Sequence, residues 1–407
     1  MEYFSDFITE SKNTHMTHIE DKVLYGGVDG TREAINALRD LRNMLAGKKE
    51  GSVSVKWDGA PAIFAGTDPR DGKFFVAKKG IFNKNPKVYK TNADIDADTT
   101  GDLNSKLKDA LRYLPDLGIT GVIQGDFLFG SGDVQTKTID NQKYSTFHPN
   151  TIVYAIPYDQ AAEVRSAKIG IVWHTSYTGS SFETMKASYG VNVSRLNKSA
   201  NVWSQDAMLT DVRGATMTQR ETEDVTEILS AAGTLFNSIA GSTLRQLENN
   251  QTLAQHIEQF NNLYVRKGAQ IKDTKAHTRK LINWIKSRYI KQIQARKTSK
   301  GKATQRANMN ALLDFFSTRN TTNLEKIFEL QKLIVLAKLK LINKLNSVGK
   351  YKTFVKSANG YKVTGQEGYV AIDTLGGDAV KLVDRMEFSY NNFSPSILKG
   401  WQKPTGR

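Results

Sequence analysis

The stretch Lys56-Trp57-Asp58-Gly59 has the residue types best suited to chemistry. It follows the run Val53-Ser54-Val55 and leads into Ala62-Ile63-Phe64-Ala65, so it lies between two strand candidates. A lysine amine is a strong nucleophile once deprotonated, and burial or a neighbouring cation lowers its pKa enough for that. Attack on the α-phosphate of a nucleotide would give a phosphoramidate. Asp58 would orient the amine, or bind a metal or a ribose. Gly59 would let the backbone approach the ligand. The plain alternative is a surface lysine before an Asp-Gly turn, and these four residues alone do not separate the two.

Further short segments follow in a definite order. They are Lys78-Lys79-Gly80, Gln124-Gly125-Asp126-Phe127-Leu128, Thr151-Ile152-Val153-Tyr154-Ala155, Glu367-Gly368-Tyr369-Val370 and Val380-Lys381-Leu382-Val383. With the first segment, this run resembles the covalent nucleotidyltransferase superfamily of DNA ligases, RNA ligases and mRNA capping enzymes. The resemblance covers about residues 50–160 and 360–390. It also extends to a ligase-like family carried by tailed bacteriophages.

The resemblance implies a role for each segment. Lys56 would be the nucleophile, with Asp58 and Gly59 completing its motif. Lys79 would contact ribose or phosphate, and Asp126 the ribose. The Tyr154 ring would stack on the base. Glu367 would hold a metal ion, with Asp126 as a second candidate ligand, and Lys381 would contact the phosphates. ATP and Mg2+ (or Mn2+) are the implied cofactors. Three departures stand out. Asp126 occupies a position where glutamate is usual, Val383 replaces a second lysine, and roughly two hundred residues separate Tyr154 from Glu367. The physics suits this layout, because adenylyl transfer builds charge on phosphates that lysines and a divalent ion neutralise. Magnesium needs few carboxylates when phosphate oxygens complete its shell.

Other chemistries find little support. There are no cysteines, which excludes disulfides, thiolate metal sites and cysteine nucleophiles. The six histidines show no metal-ligand spacing; His174 reads as lying at a strand end from which it could approach the site, but it is not counted among the site residues. No nucleophile elbow and no phosphate-cradling glycine loop is present.

The formal charge of +16 favours a polyanionic partner. From Arg266 to Arg306 about fourteen Lys or Arg residues face only Asp273. Within it, Arg279, Lys280, Lys286, Arg288, Lys291, Arg296 and Lys297 are the candidate nucleic-acid contacts, since counterion release rewards such clusters. Tyr264, Trp284 and Tyr289, interspersed there, read as packing residues rather than base stackers.

These groups need elements to hold them. Ala34, Leu38, Leu41 and Leu45 have helical spacing, with Gly26-Gly27 and Asp29-Gly30 as the turn before the helix. From 51 to about 175 short strands dominate, with Asp71-Gly72 closing a hairpin and one helix near Asn104 to Leu114. From about 205 to 348 the pattern is helical, with helices near 222–238, 251–265, 275–297 and 303–317 and a polar break from Thr298 to Lys302. Thr322 and Glu325 form a capping-box pattern for the last helix, and Gly349 is its stop. Strands return after Lys350, with Gly376-Gly377 as a turn.

The expected fold class is α+β. A ligase-type nucleotidyltransferase domain, with antiparallel sheets and flanking helices, is interrupted by an all-helical insertion. Residues 1–205 and 350–407 would form the nucleotidyltransferase domain, and 206–349 a basic, nucleic-acid-binding insertion. No run is long and apolar enough to span a bilayer, and a cytoplasmic location is expected, in the host cytoplasm if phage-encoded. The expected function is ATP-dependent polynucleotide ligation through lysyl-AMP, joining 5′-phosphate to 3′-hydroxyl ends. RNA is the first choice, since the stretch after Lys381 is too short for an OB-fold. The alternatives are a DNA ligase or DNA-end modifier, a non-catalytic nucleic-acid-binding protein, and an enzyme that adenylylates a protein or small molecule.

Overall fold

The computed structural model describes residues 17–48, 52–209, 217–347, 351–372 and 379–400. Helix α1 (Gly27–Leu45) precedes β1 (Ser52–Lys56), β2 (Ala62–Thr67) and β3 (Phe74–Ala77). Next come α2 (Gly101–Tyr113), β4 (Val122–Phe129), β5 (Gln135–Ile139), β6 (Gln142–Phe147) and β7 (Ile152–Pro157). They are followed by β8 (Ile169–Thr178), β9 (Lys186–Tyr189), β10 (Val202–Asp206) and β11 (Met208–Leu209). The helical stretch consists of α3 (Gln219–Asn237), α4 (Gly241–Glu248), α5 (Gln251–Arg266), α6 (Thr274–Ala295), α7 (Ser299–Leu313) and α8 (Thr318–Ser347). The chain then returns to strands with β12 (Lys352–Ser357), β13 (Gly360–Val363), β14 (Gly368–Ile372) and β15 (Ala379–Leu382). Last come α9 (Arg385–Phe393) and β16 (Ile397–Leu398).

The fold is mixed α+β, and its strands form three sheets that are antiparallel apart from the β8–β10 pair. The first sheet has the order β11-β1-β14-β15. The second runs β10-β8-β4-β2-β3, with β9 added on β8. The third runs β13-β12-β7-β6-β5, with β16 on β12. The first and third sheets both join strands from the two ends of the sequence. No described helix is long and apolar enough to cross a membrane.

The helices do not stand apart from the sheets. Val53, Tyr369 and Leu382 of the first sheet share one buried cluster with Leu38 and Leu41 of α1 and Leu330 and Ile334 of α8. The expected boundary at 205/206 cuts β10, and the helices begin only at Gln219, because β11 still pairs with β1.

Local punctuation differs from expectation in three places. Helix α1 runs through Asp29-Gly30 instead of starting after it. A Cβ on Gly30 would lie 2.5 Å from the Lys22 carbonyl, so that glycine serves close packing rather than a turn. Thr298 caps α7 by accepting from Gly301 N at 3.1 Å, which turns the expected break into a helix start. Thr322 lies inside α8, where its hydroxyl donates to the Thr318 carbonyl, so it is no cap. The Asp71-Gly72 turn of the β2–β3 hairpin is present, with Gly72 at φ +73°. Gly349 and Gly376-Gly377 lie outside the described residues.

A buried ionic cluster pins the helices to the C-terminal segment. Lys338 of α8 donates to both Glu20 oxygens at 2.9 and 2.8 Å. Arg385, the first residue of α9, donates to Asp21 at 2.7 Å, to Glu20 at 3.4 Å and to Asn262 of α5. Burial alone would raise the Glu20 pKa, but Lys338 and Arg385 outweigh it and hold the carboxyl low. Its stabilisation is therefore complete above the ordinary glutamate range and is lost as pH falls below it. Removing one partner of a buried pair leaves an uncompensated charge. Glu20→Gln is expected to lower unfolding free energy by about 3–5 kcal/mol, and Glu20→Leu with Lys338→Leu to recover most of that. Urea denaturation at neutral pH checks this; a double variant no more stable than the single one would contradict it.

Candidate active site

Strand register places the nucleophile candidate. Lys56 is opposite Gly368, and Ser54 is opposite Val370, which in turn faces Lys381. Since side chains alternate along a strand, Ser54, Lys56, Val370 and Lys381 share one face of the first sheet. Val53, Tyr369 and Leu382 point the other way, into the core shared with the helices. Glu367, just before β14, meets Lys56 directly: the Lys56 Nζ donates to Glu367 Oε1, across 311 residues of sequence. The Lys56 side chain is 38% exposed and that of Glu367 10%, so the amine remains reachable from solvent.

The second sheet supplies the facing groups. Gln124 and Asp126 of β4 lie on the side away from the cluster containing Ile123, Phe127 and Trp173. Burial raises the Asp126 pKa; Lys56 and Lys79 oppose this and Asp58 adds to it, giving about 7. Burial likewise pushes Glu367 up to about 7, with Lys56 opposing and Asp58 and Asp126 reinforcing. Burial lowers the Lys381 pKa, helped by the like charge of Lys56 and opposed by Glu367. Lys56 thus acts on Asp126, Glu367 and Lys381 alike, and exposed Lys79, two residues past the end of β3, acts on Asp126 from the edge.

Three expected ligand contacts have other roles. Asp58 accepts from Asn150 Nδ2 at 2.8 Å, Thr151 N at 2.6 Å and Ile152 N at 2.8 Å. It therefore fastens the turn after Lys56 to the start of β7, and its carboxylate is already satisfied. Tyr154 is fully buried, stacked on Trp57 at 4.7 Å and Phe147 at 5.4 Å between ring centroids. Its hydroxyl accepts from Asp58 N at 2.7 Å. With its ring enclosed in this way, Tyr154 offers no face to a base. Gly59 approaches protein, since a Cβ there would lie 2.5 Å from the Asp126 Cβ. That glycine lets the turn after Lys56 press against β4.

His174 was missed as a site residue. It lies within β8, not at its end, and no β4 residue pairs with it: Gln124 pairs with Thr175 and Gly125 with Trp173. The bulge turns His174 onto the Asp126 side, 3.8 Å from the carboxylate. Burial, then the charge of Lys56, lowers its pKa to about 4, so the ring is neutral near pH 7. Gly125 was the available signal, because a Cβ there would lie 2.3 Å from the Val172 carbonyl, and a glycine within a strand often marks a bulge.

Chemically, this is an amine touching one carboxylate, near a second, and flanked by lysines. A carboxylate with a pKa near neutrality at Nζ can accept the amine's proton. Among the described residues no three acidic or histidine side chains form a metal-holding group. Asp126 helps raise the Glu367 pKa, so the two carboxylates lie within electrostatic reach of one another; two carboxylates completed by phosphate oxygens are a donor set of the kind magnesium takes.

A profile for the family of unknown function DUF6267 matches residues 13–396. The chain belongs to that family. The match covers strands of all three sheets and the helices between them. No curated protein and no solved structure matches the chain.

If Asp58 is a fastener, Asp58→Ala should cost at least about 3 kcal/mol, because two buried backbone donors and one half-buried side-chain amide lose their acceptor. The loss should be the same with and without a divalent metal in thermal unfolding. A loss confined to metal-containing samples would return Asp58 to ligand binding.

Proposed function

We propose that this chain is an ATP-dependent polynucleotide ligase of the RNA-ligase type, acting through a lysyl-AMP on Lys56. The carrying observation is the Lys56–Glu367 contact, with Asp126 and Lys381 electrostatically coupled to the same amine. On this reading the mixed fold is a ligase-type nucleotidyltransferase domain carrying a helical insertion, working in the cytoplasm.

In the first step the Lys56 amine attacks the α-phosphorus of ATP. A nitrogen–phosphorus bond forms, the bond from the α-phosphorus to the bridging oxygen breaks, and pyrophosphate leaves. The amine proton passes to Glu367, the carboxylate in contact with it. Lys381 and Lys79 offset charge on the phosphates. Mg2+ or Mn2+, held by Glu367 and Asp126 with phosphate oxygens, would supply further charge neutralisation when bound. The AMP then moves to a 5′-phosphate end, and a 3′-hydroxyl displaces it to join the strands.

The nucleic-acid arm of the proposal rests on α6 and the residues after it. Arg279, Lys280, Lys286, Arg288, Lys291, Arg296 and Lys297 are all exposed, and no acidic residue occurs between Asp273 and Asp314. Tyr289 is buried, while Trp284 is partly buried against the helical core. Charge, not base stacking, therefore supports binding here, and Arg288 also lies over the Trp284 ring at 5.2 Å.

Incubation with α-labelled ATP and a divalent metal is expected to give label that survives denaturation and disappears in Lys56→Ala. Label unaffected by Lys56→Ala would overturn the assignment; no label but retained nucleic-acid binding would favour a non-catalytic protein. Sealing of nicked RNA is expected to exceed sealing of nicked DNA, and the reverse would make it a DNA ligase. Replacing Arg279, Lys286 and Lys291 by Glu should weaken nucleic-acid binding and reduce its salt slope by roughly 2–3. Lysyl-AMP formation should be unchanged. Unaltered binding in a filter-retention salt titration would remove α6 from the interface.

A further inference from the structure

The third sheet has a face that the candidate site does not use. Its strands carry Lys137, Lys143, Lys352, Lys356 and Lys362 and no Asp or Glu. One face is covered, since Phe147 and Tyr154 pack there with Trp57 in a buried cluster. Strand alternation puts Lys137, Lys352 and Lys356 on the opposite face, with Tyr144, Phe354 and Tyr361. The buried cluster on that face is drawn from the sheet's own strands, and among the described residues no helix adds an apolar side chain to it. The Lys352 stem covers part of it instead, with Nζ 5.8 Å from the Tyr144 ring centroid. Tyr361, opposite Lys356 on the edge strand β13, is half-buried.

We propose that this face binds single-stranded nucleic acid, as a second contact surface separate from α6. Among the described residues Lys137, Lys352 and Lys356 have no ion-pair partner, so their charge is available to a ligand. Their spacing selects the kind of anion. Lys352 and Lys356 are four residues apart on one strand, about 13 Å, and Lys137 is three strands away, at least about 14 Å. A chain of phosphates reaches all three ammonium groups, whereas a compact anion reaches one at a time. Each phosphate neutralised in this way releases counterions, which favours binding. The half-buried Tyr361 ring beside Lys356 offers a surface to an unpaired base. A duplex keeps its bases stacked inside and has none to give. The turn after Lys56 packs on the covered side through Trp57, so the proposal stands whether or not Lys56 takes a nucleotide.

Fluorescence anisotropy of a labelled single-stranded oligoribonucleotide, titrated across salt concentrations, tests this. Lys137→Gln, Lys352→Gln and Lys356→Gln together should reduce the salt slope by roughly 2, at about 0.7 per phosphate. Tyr361→Ala should weaken binding about fivefold or more and leave the slope unchanged. A duplex of the same length should bind Tyr361→Ala as it binds wild type. Circular dichroism confirms folding of each variant. A triple variant with wild-type affinity and slope overturns the inference and leaves α6 as the nucleic-acid surface. A triple variant that loses only binding to phosphatidylserine vesicles also overturns it, and makes the face a membrane contact. A wild-type chain that binds no oligoribonucleotide overturns it together with the nucleic-acid reading of α6.

Discussion

Everything at the candidate site depends on β1 pairing with β14. That pairing brings Lys56 to Gly368 and therefore to Glu367, from segments that chain order keeps far apart. β15, on the far side of β14, adds Lys381 to the same face. One register thus fixes an amine, a carboxylate and a second amine together, while the opposite face of the sheet is sealed by the helices. A slip of β1 by one residue would send Lys56 into the apolar core, so packing on the back of the sheet fixes which side chains stand on its front.

The second sheet and the turn after Lys56 complete the arrangement. Asp58, Tyr154 and Gly59 draw that turn against β7 and β4 through hydrogen bonds, ring stacking and a close backbone approach. Their role is to hold Lys56 in register with Asp126. The buried Glu20–Lys338–Arg385 cluster ties the long helix α8 and the N-terminal segment to the start of α9, three residues beyond the end of β15. The helices and the first sheet that carries Lys56 share one buried cluster and so pack as one body.

Much of the fold was legible because strand alternation and helix periodicity are local. The strands around Lys56, Asp126, Glu367 and Lys381 and the helices from 219 to 347 carry those periods plainly. What was not legible depends on partners distant in sequence. An aspartate beside a glycine looks the same whether it faces a ribose or three backbone and amide donors, so Asp58 was misread. A tyrosine in an apolar strand looks the same whether its ring is open or stacked, so Tyr154 was misread too. Lys338 is at stripe spacing between Ile334 and Leu341, a charge in an apolar row, and its partner Glu20 is in another part of the chain. His174 required a bulge, which only Gly125 hinted at.

Mass spectrometry after incubation with ATP and Mg2+ tests the central claim most directly. The account predicts an intact chain heavier by one AMP, with fragmentation placing the adduct on the Lys56 side chain. An adduct on another residue, or none from any nucleoside triphosphate, would contradict it.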